Sequence, residues 1–174
     1  MSMRRAPVAV LLLLAAACGG SPAVQSRYVP VRPPQRSPTP TIPPAACTAP
    51  AADPHIYHPD RLAFLGCRTA TGTVDVIRSE PDGDNHTLLK LDPAYAGLLD
   101  PANQGKERGD LVLEQPCDHA VTQADAVAGC EIGGEPRFAF TVGEHVQVTG
   151  AWVADLDHGG WHEFHPLTTV APLG

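Results

Sequence analysis

The sequence predicts an all-β domain with short helical inserts, a small closed barrel of five main strands over residues 60–174. Three observations carry that expectation. Stretches of period-two alternation rich in β-branched residues recur through this region. Glycines, Gly72 and Gly150, interrupt the two longest of them, where a strand closing a barrel must bend. Turn-forming runs, Pro81-Asp82-Gly83 and Asp157-His158-Gly159-Gly160, separate successive strands.

Taken in order, Cys67 to Ser79 alternates Thr69, Thr71, Thr73 and Asp75 with Ala70, Gly72, Val74 and Val76, a strand pattern. The turn at residues 80–85 leads into a second strand, His86 to Leu91, so the two form a hairpin. Ala94, Leu98 and Leu99 would share one face of a short helix within Pro93–Gln104. A charged turn, Lys106 to Gly109, precedes a third strand, Leu111 to Gln115. Thr122 to Ala128 reads as a second short helix, with Thr122 as its N-cap. Arg137 to Thr141 reads as a short edge strand. Glu144 to Leu156 is a long strand that places Val146, Val148 and Trp152 opposite Thr149, Ala151 and Val153, and Trp161 to Val170 is the last strand. Five strands with this order of inserts suit the five-stranded OB-type barrel; a β-sandwich would call for seven or more strands.

The region before this domain has a different character. Arg4 and Arg5 precede an apolar run from Val8 to Ala17. That run is shorter than the roughly 20 residues a membrane span requires, and it reads as the core of a signal peptide over residues 1–18. Leu14-Ala15-Ala16-Ala17-Cys18 resembles a lipobox, so Cys18 is the expected lipidation site, with plain cleavage and secretion as the alternative. Eleven prolines fall between Gly19 and Pro59, and a chain so short of amide donors reads as an extended tether over residues 19–59.

Residues 60–174 carry seven Lys and Arg against eighteen Asp and Glu, a net charge of −11. Such a surface repels phosphate backbones, so nucleic acid is excluded as the expected partner, and the membrane surface, reached through Cys18, takes its place. With Cys18 set aside, Cys47, Cys67, Cys117 and Cys130 remain. Export makes disulfides the default, and four cysteines allow three pairings, of which Cys117–Cys130 and Cys47–Cys67 are favoured.

Two polar clusters carry the chemistry. One is Asp82-Gly83-Asp84-Asn85-His86 in the first hairpin turn, and the other runs from Asp155 to Pro166 around the last. In an OB-type barrel these turns flank one face. Strand periodicity puts Asp84 and His86 on one side, and Glu163 and His165 on one side, with His162 and Phe164 opposite. Two imidazoles and two carboxylates suit a divalent metal such as zinc, with Asp157 or His158 to complete the set. The same pairs also make hydrogen bonds that pin loops together. His162-Glu163-Phe164-His165 is not the zinc-protease motif, which needs histidines four apart on a helix. No Gly-x-Ser-x-Gly elbow occurs.

Several stretches resemble a family of small, mostly uncharacterised secreted bacterial domains. They are Gly72-Thr73-Val74, Glu80 to His86, Gly109-Asp110-Leu111-Val112, Cys117 to Cys130, Val148-Thr149-Gly150 and His158 to Pro166. The resemblance covers residues 67–170 and implies an OB-like barrel and the Cys117–Cys130 pairing; it brings no activity. Gly159-Gly160 stands where one glycine is usual, which shifts His158 relative to Glu163 and His165, and Phe164 stands where isoleucine is expected. The functional expectation is a non-enzymatic binding module that holds a divalent metal or small polar ligand at Asp84, His86, Glu163 and His165. A ligand-free structural or protein-interaction module, and a metal-dependent hydrolase using Glu163 as general base, are the alternatives.

Overall fold

The computed structural model describes residues 47–174. The expected signal segment, Cys18 and the tether as far as Ala46 lie outside the described residues. Five strands make up the sheet: β1 (Leu62–Ser79), β2 (Asn85–Leu91), β3 (Leu111–Gln115), β4 (His145–Asp155) and β5 (Trp161–Pro172). They pair in the order β1-β2-β3-β5-β4, and β4 pairs back to β1, so the sheet closes on itself. All pairings are antiparallel except that of β3 with β5.

β1 makes the closure. It runs beside β4 from Leu62 opposite Asp155 to Thr73 opposite His145, and beside β2 from Gly72 opposite Leu91 to Ser79 opposite Asn85. The strand therefore begins five residues earlier than the alternation at Cys67 suggests, because Leu62–Gly66 have β4 to pair with. Gly72 sits where the strand passes from one partner to the other. A Cβ there would lie 2.5 Å from the Lys90 carbonyl oxygen, so only glycine lets β2 approach this closely. At Gly150 the β4–β5 register slips. Burial along β4 shifts phase there, from Val146 and Val148 to Ala151 and Val153.

The interior is filled by Ala70, Val74, Leu89, Leu111, Leu113, Val146, Val148, Phe164 and Leu167, all almost completely buried. Each large apolar side chain buried in this way contributes about 1.5–3 kcal/mol. A smaller cluster of Leu88, Val112 and Trp161 lies on the opposite side of β2, β3 and β5, with Val76 and Ala102 against it.

The inserts differ from the expected ones in detail. The segment after β2 is two pieces: a 3-10 stretch, Pro93–Leu98, and a helix, α1 (Pro101–Lys106). Pro101 forces Asp100 out of the helical region, which separates them, and Asp100 and Asn103 then close a reciprocal cap on α1. The second helix, α2 (Val127–Cys130), is only four residues long and does not begin at Thr122. The amides of Thr122 and Gln123 instead donate to the Pro81 carbonyl at 2.8 Å, tying this loop to the β1–β2 turn. No strand forms at residues 137–141. The Arg137 guanidinium donates to the Cys117 carbonyl at 2.9 Å and the Phe138 amide to the Gln115 side chain at 2.6 Å, so these donors go to loop and side-chain acceptors rather than to a strand.

Disulfides join Cys47 to Cys67 and Cys117 to Cys130. Residues 47–59, read from sequence as the end of the tether, lie against the domain. Ile56 is buried, and the Tyr57 hydroxyl donates to Asp125 at 2.6 Å. Among the described residues no helix is long and apolar enough to cross a membrane.

Candidate functional site

Strand parity places the site. On β2, Leu89 belongs to the interior cluster, so His86 and Leu88 share the other face. On β3, Leu111 and Leu113 point inward, leaving Val112 and Glu114 outward. On β5, Phe164 points inward, leaving Trp161, Glu163 and His165 outward. Cross-strand register then sets His86 beside Glu114 and Val112 beside Glu163. The outer face of three adjacent strands thus carries a row of polar groups. Segments from Tyr57 to Leu62, Glu80 to Asp84 and Asp155 to His158, together with Glu107, wall a cavity of about 370 Å³ over that row.

The structure brings Asp84, His86, Glu163 and His165 to this one cavity, from both hairpins. They do not form a single four-membered cluster. His165 is the hub of one half: its Nδ1 faces Glu163 Oε1 at 3.0 Å, and its Nε2 stands 3.6 Å from Asp84 Oδ2. The other carboxylate oxygen of Glu163 accepts from the Trp161 indole N–H at 2.8 Å. Asp84 Oδ1 accepts from the Cys117 amide at 3.0 Å, so the disulfide loop fixes that carboxyl.

His86 is the hub of the other half, and its partners are residues that sequence reading did not single out. Its Nδ1 lies 2.7 Å from Glu114 Oε1 and its Nε2 3.3 Å from Glu107 Oε2. Arg78 donates to the same Glu107 oxygen. A signal for Glu114 was present: the run Leu111-Val112-Leu113 does not alternate, as expected of a strand covered on both faces, and a glutamate continuing such a strand must be buried and partnered.

Charge in the cavity follows from these contacts. Burial pushes the Asp84 carboxyl up to about 8 against the pull of His165. Burial alone would lower the His86 imidazole, but the charge and hydrogen bond of Glu114 win and raise it to about 9. His165 behaves alike: burial lowers it, while Glu163, Glu114 and Asp84 raise it to about 9. Burial pushes Glu114 up, opposed by His86. Both imidazoles are therefore held as cations among carboxylates at neutral pH.

Two buried polar atoms of the cavity lining have no hydrogen-bond partner: His165 Nε2 and Glu114 Oε2. Each belongs to a side chain about nine-tenths buried. Leaving such atoms unpaired costs about 1–3 kcal/mol each, more when charged, unless something occupies the space they face.

The four residues expected to bind a metal do not offer four vacant donors. Both nitrogens of His86 face carboxylates, and both oxygens of Glu163 are engaged. Among the described residues no group of three or more His, Cys, Asp or Glu is disposed to hold an ion. The same engagement leaves Glu163 without an oxygen poised as general base. At the rim, Asp157 pairs with Arg61 at 3.0 Å. His158 stacks on Trp161 with ring centroids 4.4 Å apart, and its Nδ1 lies 2.5 Å from Asp155 Oδ2. Neither Asp157 nor His158 joins the buried set.

Comparison of the chain with models of known protein families, with curated proteins and with solved structures finds no match to any of them.

Proposed function

We propose that this protein is an exported, lipid-anchored binding module that holds a small polar ligand in the cavity between its first and last hairpins. The observation that carries the reading is the pair of unpartnered buried atoms, His165 Nε2 and Glu114 Oε2, lining a cavity of about 370 Å³. That volume falls within the range of small-molecule sites, about 300–1,000 Å³. Export and anchoring are supported by the apolar run before Cys18, by the lipobox-like residues around it, and by the two disulfides. An OB-type barrel is supported by the strand order β1-β2-β3-β5-β4 and its closure. Kinship with small secreted bacterial domains rests on the quoted motifs of residues 67–170.

A divalent metal such as zinc is the second reading. Glu163 accepting from His165 Nδ1 is the way a carboxylate orients a metal-binding imidazole, and it leaves Nε2 free beside Asp84. Ligand-detected NMR of the purified protein against a panel of small polar metabolites tests the first reading. At least one compound gives a signal with wild type that His165→Gln abolishes. No signal from any compound would leave a loop-pinning, ligand-free module, and equal signals from both proteins would place binding away from His165. Chelator competition with Zn²⁺ tests the second: uptake lost in His165→Gln would replace the first reading with the metal.

A further inference from the structure

The cavity is selective by charge as well as size. Eight acidic side chains line it against two arginines and the cationic imidazoles of His86 and His165, and even with the Asp84 carboxyl protonated the balance stays negative, so its field favours cations and opposes anions. The volume of about 370 Å³ far exceeds what one ion fills, since a water molecule occupies about 30 Å³ of liquid. The ligand this space suits is therefore an organic cation.

The unpaired atoms narrow the class. Glu114 Oε2 is an acceptor without a donor. Asp84 also lines the cavity, and its Oδ2 stands 3.6 Å from His165 Nε2, beyond hydrogen-bond range. His165 Nε2 stands as the complementary donor, because the cationic ring carries a proton there while Glu163 accepts only from Nδ1. A ligand that satisfies both sides must present N–H donors on its cation and an oxygen close by. A quaternary ammonium has no N–H to give, and a neutral diol has no charge for the carboxylates. Each meets half of the requirement.

Resting on the small-ligand reading above, we propose that the cavity takes a small amino alcohol. Its primary ammonium group donates to Glu114 and Asp84 while its hydroxyl meets His165 Nε2. Trp161, held by Glu163 and covered by the His158 ring, forms the wall beside the site rather than a stacking platform for the ligand.

Isothermal titration of the purified protein with ethanolamine, choline and ethylene glycol is the test. Choline matches ethanolamine in charge and hydroxyl but has no N–H, and ethylene glycol keeps the hydroxyls without the charge. Ethanolamine should bind at least tenfold more tightly than either, and Glu114→Gln should weaken it about tenfold. Choline binding as tightly as ethanolamine overturns the proposal, and that comparison needs only the wild-type protein. If ethylene glycol or Zn²⁺ binds in a Glu114-dependent way and ethanolamine does not, the amino-alcohol class is wrong and the cavity remains a site. If none of the probes binds, the class falls, and the metabolite panel decides the cavity by itself.

Discussion

Glu114 and His86 are cross-strand partners on β3 and β2, and their contact shows what one buried carboxylate does in this domain. It holds the imidazole charged, and it lies within electrostatic reach of His165 and Glu163 from the other half of the cavity. Removing one partner of a buried ion pair costs about 3–5 kcal/mol, because the other charge is left without compensation. Glu107 still faces His86 after such a change, so Glu114→Ala should destabilise the fold by about 3 kcal/mol, near the lower bound. Denaturant unfolding monitored by tryptophan fluorescence reads this directly. A loss below about 1 kcal/mol would mean that His86 does not depend on Glu114.

At the scale of elements, backbone approach matters more than side-chain chemistry. Gly72 admits no Cβ, because the Lys90 carbonyl and the Leu89 side chain already occupy the space, whereas nothing lies within 4 Å of a Cβ built on Gly97. Gly72→Ala should therefore cost about 1–3 kcal/mol through forced separation of β1 and β2, while Gly97→Ala should be near neutral. Paired melting curves of the two variants check the difference. The β1–β2 turn depends on a similar constraint. Gly83 has φ of 98° and lies beneath the disulfide loop, with Val121 Cγ2 2.8 Å from the Cβ it lacks. That packing lets the Cys117 amide reach Asp84.

The whole molecule should respond to pH through the protons its cavity retains. Asp84 titrates near 8 in the folded state against an ordinary value of 3.8, and His86 and His165 near 9 against 6.5. Native protein then binds more protons than unfolded protein from about pH 4 to pH 9, most strongly between 6.5 and 8. Stability falls as pH rises through that window, by about 1.4 kcal/mol per pH unit for each proton retained. Melting followed by circular dichroism should give a lower Tm at pH 9 than at pH 6, and a Tm that rises over this range would contradict the assignment. Below about pH 4 the trend reverses, since Asp92, Asp125 and Glu135 are held below their ordinary values and lose their partners on protonation.

Sequence alone determined the β class and the cores of all five strands, because alternation and turn residues are local properties, whereas four cysteines left three pairings open until the fold brought Cys47 to Cys67 and Cys117 to Cys130. It also singled out Asp84, His86, Glu163 and His165, since residues two apart in a strand share a face whatever the strand packs against. It did not reveal that His86 answers to Glu114 and Glu107 rather than to Glu163, or that residues 47–59 belong to the domain. Nor did it show that residues 137–141 turn their donors to loop and side-chain acceptors instead of joining the sheet. Those outcomes depend on which strands become neighbours when β1 closes the sheet, and register between segments far apart in the chain leaves no mark on either segment by itself.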